Sequence, residues 1–229
     1  KALIVDSLYS SKSGKTPSES VAREMLKDVM FGADNKGHAM FVTSFASHIA
    51  RLKSMVEFGK KLNRKVVFLG RSLNKYVKAA EAVGLTDLSK DVEIMTYARQ
   101  VEKKLHQIEK QKDKYLVVCT GSQAEPNAIL TRIGDRKLPF KFEHDDHVIF
   151  SCKTIPVEPN IENRARLETN LSGNGVRIFK DVHVSGHGSR EDIRDMIDMV
   201  KPEVIIPGHG DKKRVTGHVE DLANLLGFK

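Results

Sequence analysis

Short apolar runs alternate with amphipathic stretches along almost the whole chain. The most apolar runs lie at residues 40–43, 65–69, 115–119 and 148–151, and the stretches between them carry apolar residues at helical spacing. Parallel strands need crossover connections of a dozen or more residues, which are usually helices. This rhythm therefore predicts an α/β fold with a mostly parallel sheet flanked by helices.

The first amphipathic stretch carries a signal for the start of a helix. Thr16, Pro17 and Glu19 match an N-cap, a proline at the first helical position and a capping-box glutamate, which predicts a helix over residues 17–30. Further helices are predicted from residue 49 to 59, up to residue 79, over 98–110, after residue 126, and over 160–170, 190–200 and 214–226. Short strands are also predicted at residues 3–5, 176–179, 182–184 and 204–206.

Composition limits the class of protein and favours one class of partner. The 229 residues are 40% hydrophobic, which suffices for one large domain or two modest ones. The formal charge of +8 favours a polyanion such as nucleic acid, although scattered charge also serves solubility alone.

The cysteines and the apolar runs point to a cytoplasmic protein. Cys119 and Cys152 each lie in an apolar run, so we predict two reduced core residues and no disulfide. No stretch is long and apolar enough to span a bilayer, and no membrane partner is expected. Because the chain starts at Lys1 as a strand already under way, we expect an upstream segment.

Polar residues follow three of the predicted strands. They are Ser44 and Ser47, then Arg71, and then Thr120, Gly121, Ser122 and Gln123. Carboxyl ends of parallel strands meet at one edge of a sheet, where ligands gather and helix N-termini favour anions. These residues are candidates for binding phosphate. The alternative is an ordinary turn or, for the two serines, a helix cap, which we favour there.

The segment from His144 to His147 resembles a metal cluster in composition. Adjacent side chains in an extended loop point in different directions, so we predict a solvated hairpin or loop instead.

Two glycine-flanked turns near the end of the chain carry three histidines. The first turn holds His183, Ser185, Gly186 and His187, and the second holds His209 between two glycines. Glycine allows close approach of the backbone, so imidazoles here can reach a phosphate or a metal. No cluster of further metal ligands precedes them in the chain.

Six short segments begin at residues 6, 43, 120, 153, 183 and 207 and read DSLY, TSFASH, TGSQAEPN, KTIP, HVSGH and PGHG. Taken in this order, they resemble the β-CASP nucleases, and in particular the archaeal branch of the ribonuclease J family. The resemblance implies a β-CASP domain at residues 13–177. Residues 1–12 and 178–229 would be the end of an N-terminal metallo-β-lactamase segment and the C-terminal return of that domain.

The resemblance also implies roles for individual residues. Asp6 would orient His187, which would contact a phosphate oxygen or protonate the leaving 3′ oxygen. His209 would be a zinc ligand. The stretch of His183, Ser185 and Gly186 would grip the scissile phosphate or its neighbour, and residues 120–123 would hold a 5′ phosphate or the RNA backbone.

The family uses two zinc ions held by an upstream His-x-His-x-Asp-His cluster, which this sequence lacks. The resemblance therefore implies a zinc-dependent ribonuclease, acting as a 5′–3′ exonuclease with endonuclease activity as a second mode, whose 229-residue part is inactive alone. Its implied partners are 5′-monophosphorylated RNA and the absent metallo-β-lactamase half, and a homodimer is left open. The alternative is a non-catalytic RNA-binding or scaffold module.

Overall fold

The computed structural model describes residues 1–210 of the chain. In order, its helices and strands are β1 (Ala2–Asp6), α1 (Glu19–Gly32), β2 (Met40–Thr43), α2 (Ile49–Lys61), β3 (Lys65–Leu69), α3 (Arg71–Ala82), β4 (Glu93–Met95), α4 (Ala98–Glu109), β5 (Tyr115–Cys119), α5 (Ile129–Gly134), β6 (His147–Phe150), α6 (Glu158–Ser172), β7 (Arg177–Phe179), α7 (Arg190–Val200) and β8 (Val204–Gly208). The helix predicted over residues 214–226 lies outside the described residues.

The chain divides into two compact units. The first consists of Lys1–Ser18 and Val184–Lys229, and the second of Glu19–His183. The second unit contains a six-stranded sheet in the order β4-β3-β5-β2-β6-β7, and all of its strand pairs are parallel. The predicted α/β class with a mostly parallel sheet and flanking helices is confirmed.

Helices cover both faces of this sheet. One face packs against α1, α2 and α3 through residues such as Leu26, Leu52 and Leu73. The other packs against α4, α5 and α6 through residues such as Leu105, Leu130 and Leu167. Since the central strands are buried on both sides, they are continuous apolar runs and lack the alternation of a half-exposed strand.

The first unit contains a two-stranded parallel sheet. β1 pairs with β8 in a register that sets Ala2 opposite Val204 and Asp6 opposite Gly208. Leu3 packs against two residues of α7, Ile193 and Ile197. The register places His209, the residue after Gly208, at the same sheet end as Asp6.

The capping box predicted for α1 is wrong. The helix begins at Glu19, and the Glu19 carboxylate is bound by Arg51. Thr16 lies in the first unit, where its hydroxyl accepts a hydrogen bond from Ser189 N and donates one to His187 O. Long-range partners therefore take both side chains that the local pattern assigned to the cap.

Three other boundaries differ from the sequence prediction. Residues 182–184 form no strand, strand β4 was not predicted, and α6 extends to Ser172. The strand β4 is short and only partly buried, so its apolar signal is weak.

The solvated loop predicted for residues 144–147 is wrong in its second half. His144 is exposed, but Asp146 and His147 are buried. The Asp146 carboxylate accepts hydrogen bonds from Ala39 N at 2.8 Å and from Lys112 Nζ at 2.7 Å. These partners replace the water that the carboxylate loses on burial.

The cysteine prediction is confirmed, since Cys119 and Cys152 are both free and buried. Burial raises the pKa of the Cys152 thiol to about 11. Among residues 1–210, none of the helices has the length and apolar character that crossing a membrane requires.

Candidate active site

A carboxylate and two imidazoles meet at the end of the small sheet in the first unit. Asp6 is the last residue of β1, His209 follows β8, and His187 lies in the loop before α7. The Asp6 Oδ2 atom lies 2.6 Å from Nδ1 of His187 and 3.2 Å from Nδ1 of His209. The centroids of the two imidazole rings are 4.9 Å apart. The structure thus brings together the three residues that the sequence assigned to catalysis and metal binding.

Backbone contacts place Asp6 and His209 side by side. Both the amide and the hydroxyl of Ser7 donate to Gly208 O, at 3.0 and 2.8 Å. His209 has a φ of 57°, in the left-handed region that most residues avoid. The turn after β8 therefore directs the imidazole back toward the end of β1.

His187 is held by the loop before α7. Ser185 Oγ accepts a hydrogen bond from His187 N at 3.0 Å, and His187 O accepts one from Thr16 Oγ1. The ring of Tyr9 meets the His187 ring edge-on at 5.6 Å between centroids. Ser185, which the resemblance assigned to substrate binding, supports the backbone of His187 here. Gly186 is exposed, and a Cβ added to it would meet no heavy atom within 4 Å.

The cluster is open to solvent and polarised. The side chains of Asp6, His187 and His209 are 42%, 35% and 59% exposed. Burial alone would raise the pKa of the Asp6 carboxyl, but hydrogen bonds from Leu8 N, His187 and His209 outweigh it and lower that pKa. An ionised carboxylate only accepts hydrogen bonds, so each Nδ1 carries the hydrogen and each Nε2 keeps a lone pair while the ring is neutral.

These three residues offer the kinds of atoms that bind zinc in proteins. Their donor atoms all lie within 4.8 Å of one another. Imidazole nitrogen and carboxylate oxygen are common zinc ligands, and a zinc-bound histidine usually donates its other N–H to a carboxylate, as Asp6 allows here. Residues 1–210 contain no second group of this kind. Two zinc ions need more ligands than these three residues supply.

The serines after β2 do not have the role that we favoured for them. Ser44 is buried and donates to Ser151 O, and Ser47 is exposed. The N-cap of α2 is His48, whose Nδ1 accepts a hydrogen bond from Arg51 N at 3.3 Å. The capping prediction for the two serines is therefore wrong, because the adjacent imidazole supplies the acceptor.

The loop after β5 is fixed by hydrogen bonds. Thr120 Oγ1 accepts from Ile129 N, and Ser122 O accepts from Arg164. The Gln123 amide donates to Lys153 O and accepts from Ile155 N, at 3.0 and 2.7 Å. Gln123 thus binds the neighbouring loop with both ends of its amide.

Gly121 is required by the close packing of this loop. It has a φ of +124°, and a Cβ at this position would lie 2.9 Å from Leu130 Cβ. Arg71, the remaining candidate of this group, is exposed at the start of α3.

Arg51 is a functional candidate that the sequence reasoning missed. Its side chain is completely buried, and Nε and Nη2 bind Glu19 at 2.6 and 2.8 Å. Nη1 donates to Ser151 O and to Val182 O, both at 3.1 Å. Arg51 therefore holds the residue before His183 against the end of β6. Glu19 lies 32 positions away, so no local pattern announces the pair.

His183 lies beside this buried arginine, in the second unit. Burial, together with the positive charges of Arg51, His48 and Lys153, lowers the pKa of the His183 imidazole to about 4. The imidazole is therefore neutral at neutral pH.

Two family models match the sequence. One, described as "Ribonuclease J, beta-CASP domain", matches residues 37–165. The other, described as "Zn-dependent metallo-hydrolase RNA specificity domain", matches residues 176–229.

Individual relatives agree with these models. The chain is 43% identical over 217 residues to ribonuclease J of Methanocaldococcus jannaschii, covering 94% of this chain and 48% of the relative. It is 40% identical over 228 residues to ribonuclease J of Pyrococcus abyssi, covering 100% of this chain and 50% of the relative. With ribonuclease J of Sinorhizobium meliloti the identity is 32% over 224 residues, 96% of this chain and 37% of the relative.

The chain spans about half the length of the two archaeal relatives. The resemblance noted from the order of motifs is confirmed by these matches. The chain belongs to the ribonuclease J family, with a β-CASP domain in its second unit.

Proposed function

We propose that this chain is part of a zinc-dependent ribonuclease in which Asp6, His187 and His209 belong to the hydrolytic centre. The observation that carries the proposal is the shared contact of Asp6 Oδ2 with both imidazoles, at 2.6 and 3.2 Å. Membership of the ribonuclease J family supports the reaction class, and the zinc and RNA in the description of the matching C-terminal model support the cofactor and substrate.

The chemistry assigns His187 to proton transfer. The Asp6 carboxylate holds the His187 Nδ1–H, which fixes the tautomer and leaves Nε2 as the ring atom that can contact the substrate. When protonated, Nε2 donates either to a phosphate oxygen or to the leaving 3′ oxygen, as general acid catalysis requires. His187 is one third exposed, so a substrate can reach it.

His209 is assigned to the metal. Its Nδ1 is bound to Asp6, so Nε2 is the atom that would hold zinc. Bound zinc would stabilise the negative charge that develops on the phosphate and activate the attacking water.

The substrate is RNA with a 5′ monophosphate, cleaved from the 5′ end, with internal cleavage as a second mode. The charge of +8 supports binding to the phosphate backbone. His183, Ser185 and Gly186 bind at or beside the scissile phosphate. Of the strand-end residues, the exposed Ser47 and Arg71 and the loop of residues 120–123 bind the backbone or the 5′ phosphate. Ser44 and the Gln123 amide support these loops from within, because their hydrogen bonds are made to other parts of the protein. The enzyme acts in the cytoplasm.

The predicted domain division at residues 12 and 177 stays part of this proposal. The 229-residue chain does not hydrolyse RNA alone, because His209 is its one proposed zinc ligand and cannot hold two zinc ions by itself. The remaining ligands come from a metallo-β-lactamase half with the His-x-His-x-Asp-His cluster. A homodimer is compatible with this arrangement.

The test compares histidine variants of the full-length protein on 5′-phosphorylated RNA. His187→Ala should lower kcat about 10²–10⁴-fold, because it removes the proton donor, and should leave most RNA binding intact. His209→Ala should lower both kcat and zinc content. His106→Ala, an exposed histidine of α4, is the matched control. Equal turnover in wild type and both site variants would contradict the roles.

The same measurements separate the hydrolase from a non-catalytic RNA-binding or scaffold module. A full-length, zinc-loaded protein that is only a binding module would bind RNA but release no nucleotide. That result would replace the hydrolase proposal.

A further inference from the structure

A cavity of about 610 Å³ opens at the carboxyl ends of β3, β4 and β5 in the second unit. Its lining includes the residues directly after these strands and the beginnings of the helices that follow. The lining includes Arg71, Tyr97, Thr120, Glu125, Asn127 and Arg132. A volume of this size accommodates a nucleotide.

The direction of the crossovers explains why a crevice forms there. β3 and β5 are neighbours in the sheet, but β3 leads through α3 to β4 on one side, and β5 leads through α5 to β6 on the other. The two helices pack on opposite faces, since Leu73 of α3 and Leu130 of α5 belong to different core clusters. Loops that leave adjacent strands in opposite directions open a ligand crevice in α/β sheets.

The backbone at this point is closely packed and polar. Gly70, between β3 and α3, has a φ of +137°, and a Cβ there would lie 2.5 Å from Thr120 Cγ2. α3 begins without a side-chain cap. Its first amides therefore leave hydrogen-bonding capacity at the edge of the cavity, where the helix dipole favours an anion.

The cavity also carries two unpaired cations. Within residues 1–210, the guanidinium groups of Arg71 and Arg132 make no hydrogen bond or ion pair. The buried Arg51 and Arg64 donate, in contrast, to carboxylate or carbonyl oxygens. Two free guanidinium groups against the single carboxylate of Glu125 favour an anionic ligand, and guanidinium binds phosphate well.

An aromatic ring completes the lining. Tyr97 is 71% exposed, so its ring is accessible to a ligand. Nucleobases stack on such rings. Glu125 and Asn127 supply acceptors and donors for a ribose or a base edge.

The geometry points to a binding site for one nucleoside monophosphate unit, with its phosphate on Arg71 and Arg132 and its base on Tyr97. The inference rests on the proposed action on RNA, which contains and releases such units. It adds Tyr97, Asn127 and Arg132 to the residues that contact the substrate or its product.

The test measures the affinity of the full-length protein for adenosine 5′-monophosphate by calorimetry, without zinc or turnover. Arg132→Gln and Arg71→Gln should each weaken binding about 10-fold, because a charge-assisted hydrogen bond is lost. Tyr97→Ala should weaken it about 5–50-fold through lost stacking.

The matched controls lie outside the cavity. Arg166→Gln changes an exposed arginine of α6, and Tyr76→Ala changes a tyrosine of α3 that is 43% exposed. Both should bind the nucleotide like wild type. Equal affinity in the cavity variants and the controls would overturn the proposal. So would inorganic phosphate binding as tightly as the nucleotide, since the base would then contribute nothing.

Competition with pentaadenylate distinguishes a nucleotide within RNA from a free one. If pentaadenylate displaces the mononucleotide, and Arg132→Gln weakens pentaadenylate binding as well, a unit of the RNA chain occupies the cavity. Absence of displacement assigns the site to the free mononucleotide. Either result supports the site.

Failure of the hydrolase proposal is seen separately, because His187→Ala lowers turnover and leaves mononucleotide affinity unchanged. If His187→Ala has no effect on turnover while Arg132→Gln still weakens binding, only the hydrolase roles are contradicted.

Discussion

In the second unit the charged side chains of Arg51, Arg64 and Asp146 are buried and hydrogen-bonded within the protein, whereas in the first unit Asp6, His187 and His209 are 35–59% exposed. Both sets are polar clusters, yet they differ in what their hydrogen bonds replace. A buried charge has lost its water, so removing its partner is costly. An exposed cluster can exchange its contacts for water or for a ligand.

This difference predicts separate consequences for substitution. Polar substitutions in the second unit should act mainly on stability, and substitutions in the Asp6 cluster mainly on binding and turnover. Three measurements test this difference between the two units.

The largest effect on stability is expected for Arg51→Met. The substitution leaves the Ser151 and Val182 carbonyls and part of the Glu19 carboxylate without their donor. We expect the free energy of unfolding to fall by about 3–5 kcal/mol, measured by urea denaturation followed by far-UV circular dichroism.

The matched control is Arg23→Met, because Arg23 also pairs with a glutamate but is one third exposed. It should cost less than about 1 kcal/mol. Equal losses in the two variants would remove burial as the cause of the difference.

The second effect concerns acid stability and His147. Both ring nitrogens are buried without a partner among the described residues. Burial, followed by the charges of Arg177 and His38, lowers the pKa of His147 from 6.5 to about 4. Between these values the unfolded chain binds a proton that the folded chain does not. Stability is therefore highest above pH 6.5 and falls as the pH drops towards 4.

His147→Leu should remove about 1–3 kcal/mol of that pH-dependent loss, measured as unfolding free energies at several pH values. His144→Leu, an exposed histidine three positions away, should keep the wild-type pH profile. If His147→Leu also keeps it, the imidazole is charged in the folded protein.

The smallest effect on stability is expected for Asp6→Asn. The carboxylate is 42% exposed, so the loss of its charge should change the free energy of unfolding by less than about 1 kcal/mol. In the full-length protein the same variant should lower kcat, because His187 loses the group that fixes its tautomer. A stability loss as large as that of Arg51→Met would mean that the Asp6 cluster is structural.

Much of the fold was predictable because strands and helices have different periods. The runs at residues 40–43, 65–69 and 115–119 match β2, β3 and β5, and the stripe from Ile49 to Gly59 lies within α2. Turn and cap assignments were less successful. Thr16 and Glu19 match a local capping pattern, but they bind His187 and Arg51, which lie far away in the sequence. The serines after β2 were predicted to cap α2, but the neighbouring imidazole of His48 caps it instead.

The α/β class, the order of the family motifs, and Asp6, His187 and His209 as candidates follow from the amino-acid sequence. The folded chain adds that one oxygen of Asp6 binds both histidines, across 181 and 203 positions of the chain. It also adds that Arg51 is buried against Val182 and that the crossovers of β3 and β5 open a cavity. The physical reason is that residue spacing specifies the local period of a helix or strand. Contacts between distant segments depend on which strands pair, and in what order.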